Sequence, residues 1–247
     1  MHLVKRASSL FAAIACVAAL AVPALAEVSG ESIQGNHGPI RINLSSGQLG
    51  TLNVQAGTNV YDNTASSALF AVSSTDLASI WGDELLTTGS GFLDEHVFTI
   101  FNSGSSAGPL LTANVTVQFF NAVTSASLGA YNTNVNFGTG IPPGFFSLVT
   151  VTGLTPLLID LNVTDIIVTQ TVTAKTGTAN RLGIVSLSPP TVGTSPTSMF
   201  ISSTTIGPPG FYTFSNGPAD PGHRVAVIGY VTPTRSTSWG RVKSLYR

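Results

Sequence analysis

Five acidic residues crowd into one short stretch. Asp76 precedes an Asp83-Glu84 pair, and an Asp94-Glu95 pair follows. If the apolar runs that carry them, 77–86 and 95–103, form a hairpin, the two pairs come close together. Two chemistries use such a group. Ca2+ takes several hard oxygen ligands and can rivet a loop of an extracellular domain, which would make Asp83, Glu84, Asp94 and Glu95 a structural metal site. A carboxylate pair across a glycosidic bond can serve as acid and as base or nucleophile. No Asp-x-Asp-x-Asp loop accompanies these acids, and the simpler reading, acids that flank a turn and keep it soluble, is favoured.

A second candidate is aromatic. Pro142-Pro143-Gly144-Phe145-Phe146 is echoed by Pro208-Pro209-Gly210-Phe211-Tyr212. Two similar loops presenting Phe145, Phe211 and Tyr212 at one rim, with Tyr131 nearby, would suit polysaccharide binding, because open ring faces stack on sugars. The plainer account is two turns, with Pro fixing φ and Gly supplying φ > 0, each leading into a core strand.

Other chemistry is missing. The sequence contains no Gly-x-Ser-x-Gly elbow, His-Glu-x-x-His, P-loop or Gly-x-Gly-x-x-Gly. His37, His96 and His223 are far apart along the chain, and serines are too abundant for a triad drawn on paper to mean anything. These absences give no support to an enzyme and no bound cofactor beyond structural Ca2+.

The first 26 residues have the form of a Sec-type signal peptide. Lys5 and Arg6 precede an apolar run from Leu10 to Leu25, and Ala24-Leu25-Ala26 supplies small residues for cleavage after Ala26. The run is too short and too Ala-rich for a stable transmembrane helix, so the mature chain is expected to be secreted without a membrane anchor. Cys16, the single cysteine, lies inside this run. Cleavage just before it would give a lipoprotein, but the better site follows. The mature chain then has neither disulfides nor thiolate metal sites.

Charged residues make up 9% of the chain, against roughly 25% in an average soluble domain. Ser, Thr, Asn and Gly supply the polarity, a surface that suits an extracellular or self-associating β-protein. The mature chain carries 8 basic and 11 acidic residues, and 4 of the basic ones fall in the last 13 positions. The body is therefore net acidic, which argues against nucleic acid as a partner.

The elements that must position these residues are strands. Val115, Val117 and Phe119 alternate with Thr116 and Gln118, and Ile166, Val168, Val172 and Ala174 alternate with Ile167, Thr169, Thr171 and Thr173. Strand-like runs fall at 69–74, 77–86, 95–103, 112–122, 127–137, 145–153, 164–174, 181–187, 197–204, 211–215 and 223–231. Residues 27–35 read as disordered or extended, 38–56 as a hairpin (Ile40, Ile42 and Leu44 out, Leu52 and Val54 back), and 56–68 as a loop. No amphipathic helical window appears. The expected fold is all-β: an antiparallel β-sandwich, jelly-roll-like or immunoglobulin-like, over 57–232. It is preceded by the signal peptide (1–26) and an N-terminal extended segment or hairpin (27–56), and followed by a basic tail (233–247).

Four stretches carry a family resemblance. They are Trp81-Gly82-Asp83-Glu84 with the following Thr-Gly-Ser turn, Val97 to Phe120 through Asn102-Ser103-Gly104, Pro143-Gly144-Phe145-Phe146, and Arg181-Leu182-Gly183-Ile184 with Pro189-Pro190-Thr191-Val192-Gly193. In this order the chain resembles secreted bacterial β-sandwich proteins of the PEP-CTERM-associated type. The resemblance implies export and a surface or matrix role, with no defined enzyme activity and no established site residues. The chain departs from the type at its end, which has no Pro-Glu-Pro and no apolar helix before Arg241, Lys243 and Arg247. The sequence thus leads to a non-enzymatic structural or adhesive protein, with a carbohydrate-binding module and a hydrolase as alternatives.

Overall fold

A computed structural model describes residues 27–44 and 57–229. The expected signal peptide with Cys16, the expected turn and return strand of the 38–56 hairpin, and the basic tail lie outside the described residues.

The chain folds into two packed sheets. The first runs in the order β1 (Glu27–Val28), β15 (Gly207–Phe214), β14 (Met199–Ser203), β6 (Ile80–Leu86), β12 (Asp165–Gly177), β8 (Leu110–Asn121), β9 (Ser127–Ile141). The second is built around β7 (Gly91–Asn102). One edge of β7 pairs with β10 (Phe145–Thr152) and β11 (Asp160–Leu161), and the other with β13 (Leu182–Leu187) and β16 (His223–Ile228). Next to these lie β2 (Gly35–Asn36) and β3 (Ile40–Asn43) on β10, β5 (Ala68–Ser74) on β13, and β4 (Thr58–Asp62) on β16. The fold is the expected all-β sandwich.

Period two explains the layers. Phe119, Val117 and Val115 turn inward from β8 to meet Phe98 and Ile100 of β7 and Phe137 of β9. Burying each such side chain contributes roughly 1.5–3 kcal/mol. Trp81 sits at the other end of the sandwich with Phe70, Ile184, Met199 and Tyr212. A third cluster lies outside the second sheet, where Ile33 covers Phe101, Phe146 and Val185. Strand β7 is therefore buried on both faces from His96 to Asn102.

The N-terminal segment 27–44, expected to be extended or part of a hairpin, adds edge strands to both sheets: β1 pairs parallel to β15, and β2 and β3 parallel to β10. Two expectations change. The stretch read as a loop at 56–68 contains β4. Finally, β6 and β7 are not a hairpin. Strand β6 pairs with β12 and β14 in one sheet, whereas β7 lies in the other.

Candidate functional site

That crossing separates the acids. Asp94 holds the chain locally, accepting from the Gly57 N–H at 3.2 Å and from the Thr155 hydroxyl at 2.8 Å. Glu95 is paired with Arg224. Asp76 accepts from the Ala78 N–H and from the N–H and hydroxyl of Thr204, bonds that hold its carboxyl below the usual range. Glu84 lies on the outer side of β6, where partial burial and then the neighbouring Asp165 raise its pKa. The structure does not gather Asp83, Glu84, Asp94 and Glu95 into one metal site, nor Asp83 and Glu95 into one cleft. Among the described residues no three His, Cys, Asp or Glu side chains are grouped to hold a metal.

The aromatics are also divided. Phe145 is half-buried in the second sheet and packs on the main core. Phe211 lies in the first sheet, half-buried, with its ring edge-to-face on Phe200 at 5.6 Å. Tyr131 and Tyr212 are buried, and the Tyr212 hydroxyl donates to the Pro208 carbonyl at 2.7 Å. Among the described residues these four rings form no open row. The two Pro-Pro-Gly segments differ as well. Gly144 is a turn residue with φ +84°, a conformation glycine adopts without penalty, whereas Pro208, Pro209 and Gly210 lie within β15. Beside Pro208 and Pro209 is an open hollow of about 530 Å3, walled by Asp76, Ser203 and Thr204. Its Ser203 hydroxyl is bonded to Ser74 and Ser79.

The interior contains two polar groups whose partners the sequence did not reveal. His96 on β7 and His223 on β16 stack with ring centroids 5.3 Å apart, and their Nε2 and Nδ1 atoms are 3.2 Å apart. The phenol of Tyr131, from the opposite sheet, is 2.6 Å from His96 Nδ1. Burial first, and the neighbouring His223 second, push the His96 pKa well below its ordinary value. Burial also lowers His223 to about 4, with a hydrogen bond to the Val97 carbonyl opposing the shift. Both rings are neutral at pH 7. Phe98 and Phe119 pack on the His96 ring, and both imidazoles are buried, so this group ties the two sheets together.

The second group surrounds Asp83. Trp81, Asp83 and Leu85 all face inward from β6, which leaves a carboxylic acid in the core. Ser195, from the segment between β13 and β14, is 3.0 Å from each of its oxygens. Burial raises the Asp83 pKa well above the usual carboxylate range, the Ser195 bond lowers it, and Asp220 raises it further.

The outer face of the first sheet offers a different chemistry. Thr171, Thr116 and Asn132 form one cross-strand row, Ala174, Asn114 and Asn134 the next, and Thr176, Thr112 and Asn136 a third. Thr112 bonds Thr176 at 2.7 Å, the Thr116 hydroxyl donates to Asn132 at 2.6 Å, and the Asn134 amide donates to Asn114. The last strand of this face, β9, is 15 residues long and contains no charged residue and no proline. It pairs with β8 on one side, and among the described residues its other edge has no strand partner.

Among the described residues no helix is long and apolar enough to cross a membrane. Comparison of the chain with protein-family models, curated proteins and solved structures finds no match.

Proposed function

We propose that this chain is a non-enzymatic structural or adhesive protein of a bacterial cell surface or extracellular matrix that works by associating with copies of itself. The observation that carries this reading is β9. An unpaired strand edge is a row of free N–H and C=O groups, and proteins that must stay monomeric blunt such edges with Lys, Pro, bulges or short strands. Strand β9 has no Lys and no Pro and is the longest strand in the structure, and between register shifts near its two ends it keeps an unbroken run from Gly129 to Asn136. Asn132, Asn134 and Asn136 project on its exposed face. Each amide both donates and accepts, so an Asn row is complementary to a second copy of itself. The low charge of the chain removes the repulsion that would oppose such pairing. The resemblance to exported sandwich proteins supports the surface setting, with the Sec-type leader as the route. A carbohydrate-binding module would need an open aromatic platform, and the rings that would build it are buried or divided between the sheets.

Lysine at Asn132 and Asn134 tests this. Both side chains are exposed, so the variant keeps the far-ultraviolet spectrum and melting midpoint of the parent. Across a β9–β9 pair the added charges face like charges, which is destabilising. Light scattering over a concentration series is expected to show association of the parent, weakened about tenfold or more in the variant, a loss of ~1.4 kcal/mol. A monomeric parent at high concentration, or equal association of the two proteins, would remove the proposal.

A further inference from the structure

Asp83 is not the only acid beneath the segment 188–197. Asp220, in the turn before β16, is 3% exposed, and Asp83 is 0% exposed. The Ser195 hydroxyl that bonds Asp83 also faces the Asp220 carboxyl and the Tyr61 phenol. Asn63 fixes the far side, its amide donating to the Tyr61 hydroxyl at 3.4 Å and to the backbone carbonyls of Asp220 and Pro221 at 3.3 and 2.9 Å. The Ser188 hydroxyl lies near Asp220 as well. Four separated stretches of chain thus bring two carboxyl groups and several hydroxyls to one point in the core.

The donors there do not match the acceptors. Two carboxylates offer four oxygens, and each hydroxyl has one proton to give. Asp220 Oδ1 is buried with no hydrogen-bond partner, although Ser188 and Ser195 lie near its carboxyl. Neither acid has an ion-pair partner among the described residues, where Arg181 pairs with Glu31 and Arg224 with Glu95. Buried carboxylates without a cation are costly unless protonated or coordinated.

We propose that Asp83, Asp220 and Ser195 form a buried Ca2+ site, with the Tyr61 and Ser188 hydroxyls at its border. The donor set is oxygen alone, which suits a hard cation and not Zn2+ or Cu2+. A set drawn from four separate stretches of chain suits Ca2+, which tolerates irregular geometry, better than Mg2+, which demands an octahedron. Ser188 and Ser195 are half-buried, so the ion enters beneath segment 188–197. Bound there, it joins β4, β6 and the turn before β16, and so pins both sheets.

The test is a thermal melt of the full chain in EDTA and in increasing Ca2+, with calorimetric titration of the same ion. Wild type is expected to bind one Ca2+ and to melt roughly 5–10 °C higher at a hundredfold excess over Kd. Asp220→Asn loses both signals, and Glu84→Gln, outside the cluster, keeps them. Asp83→Asn also loses the Ca2+ shift and melts higher than wild type in EDTA, because a buried acid becomes a neutral amide. If Asp83→Asn fails to fold, Asp220→Asn decides the matter. No Ca2+ shift in wild type, or a shift that survives in Asp220→Asn, would overturn the site and leave two acids that share protons.

Discussion

Gly183→Ala is expected to abolish folding. Strand β13 lies between β5 and β7, with Gly183 opposite Ser73 on one side and Phe101 on the other. A Cβ at this position would be driven into the Val72 carbonyl oxygen, with the Val72 carbonyl carbon and Ser73 Cα each 2.6 Å away. These are backbone atoms, so no rotamer change relieves them. The β5–β13 ladder would have to separate in a region where all of β13 is buried. Ordinary overpacking costs about 1–3 kcal/mol. A backbone collision between paired strands exceeds that, at about 4 kcal/mol or more, a large part of the roughly 5–15 kcal/mol that holds a domain together. Gly138→Ala is the control. Nothing lies within 4 Å of its Cβ, and only its φ of +61° opposes the change, at about 1–2 kcal/mol. Soluble yield and urea midpoints compare the two, and a Gly183→Ala protein within ~1 kcal/mol of wild type would refute this account of β13.

Acid is expected to weaken the protein through His96 and His223. In the unfolded chain each imidazole takes a proton near pH 6.5, whereas in the folded chain His223 holds off until about pH 4 and His96 is likewise pushed well below 6.5. Over that window the unfolded state binds more protons, so stability rises with pH. The contribution is fully present above about pH 6.5 and is lost as pH falls toward 4. For His223 alone the shift corresponds to about 3 kcal/mol. In Ca2+-free protein the raised carboxyls of Asp83, Asp220 and Glu84 act in the opposite direction. They keep protons in the fold that the unfolded chain sheds above its carboxylate pKa, so their contribution falls as pH rises. Imidazole proton resonances separate the two effects. Both rings should remain neutral at pH 5.5 in folded protein, and a His96 or His223 titration near pH 6.5 without unfolding would contradict the buried pair.

Much of the sandwich was legible because β-strands expose their burial pattern. Val115, Val117 and Phe119 alternate with Thr116, Gln118 and Phe120, and the first set is what enters the core. Strand β4 was not legible, because Thr58 and Asn59 give it no apolar alternation; its partner β16 defines it. Sheet membership was hidden too. The short connection from Leu86 to Gly91 suggests a hairpin, yet Thr87 and Thr88 turn away to bond the Thr164 and Val60 carbonyls, and the chain crosses to the other sheet. This one step dissolved the four-acid cluster. Asp83 did carry a signal, since it lies midway between Trp81 and Leu85 at period two, which places it inside. The partners of the buried groups carried none. Asp220 and His223 are brought to Asp83 and His96 by pairing across more than a hundred residues.

Hydrogen exchange along β9 tests the central claim most directly. Amides of Ser127–Ile141 would be followed in the full chain at low and at high protein concentration. If β9 is the surface through which copies join, those on its unpaired edge exchange quickly when dilute and become protected as concentration rises, while the rest of the sandwich is unchanged. Protection of β9 that does not depend on concentration, or concentration-dependent protection that appears elsewhere on the molecule, would contradict the account.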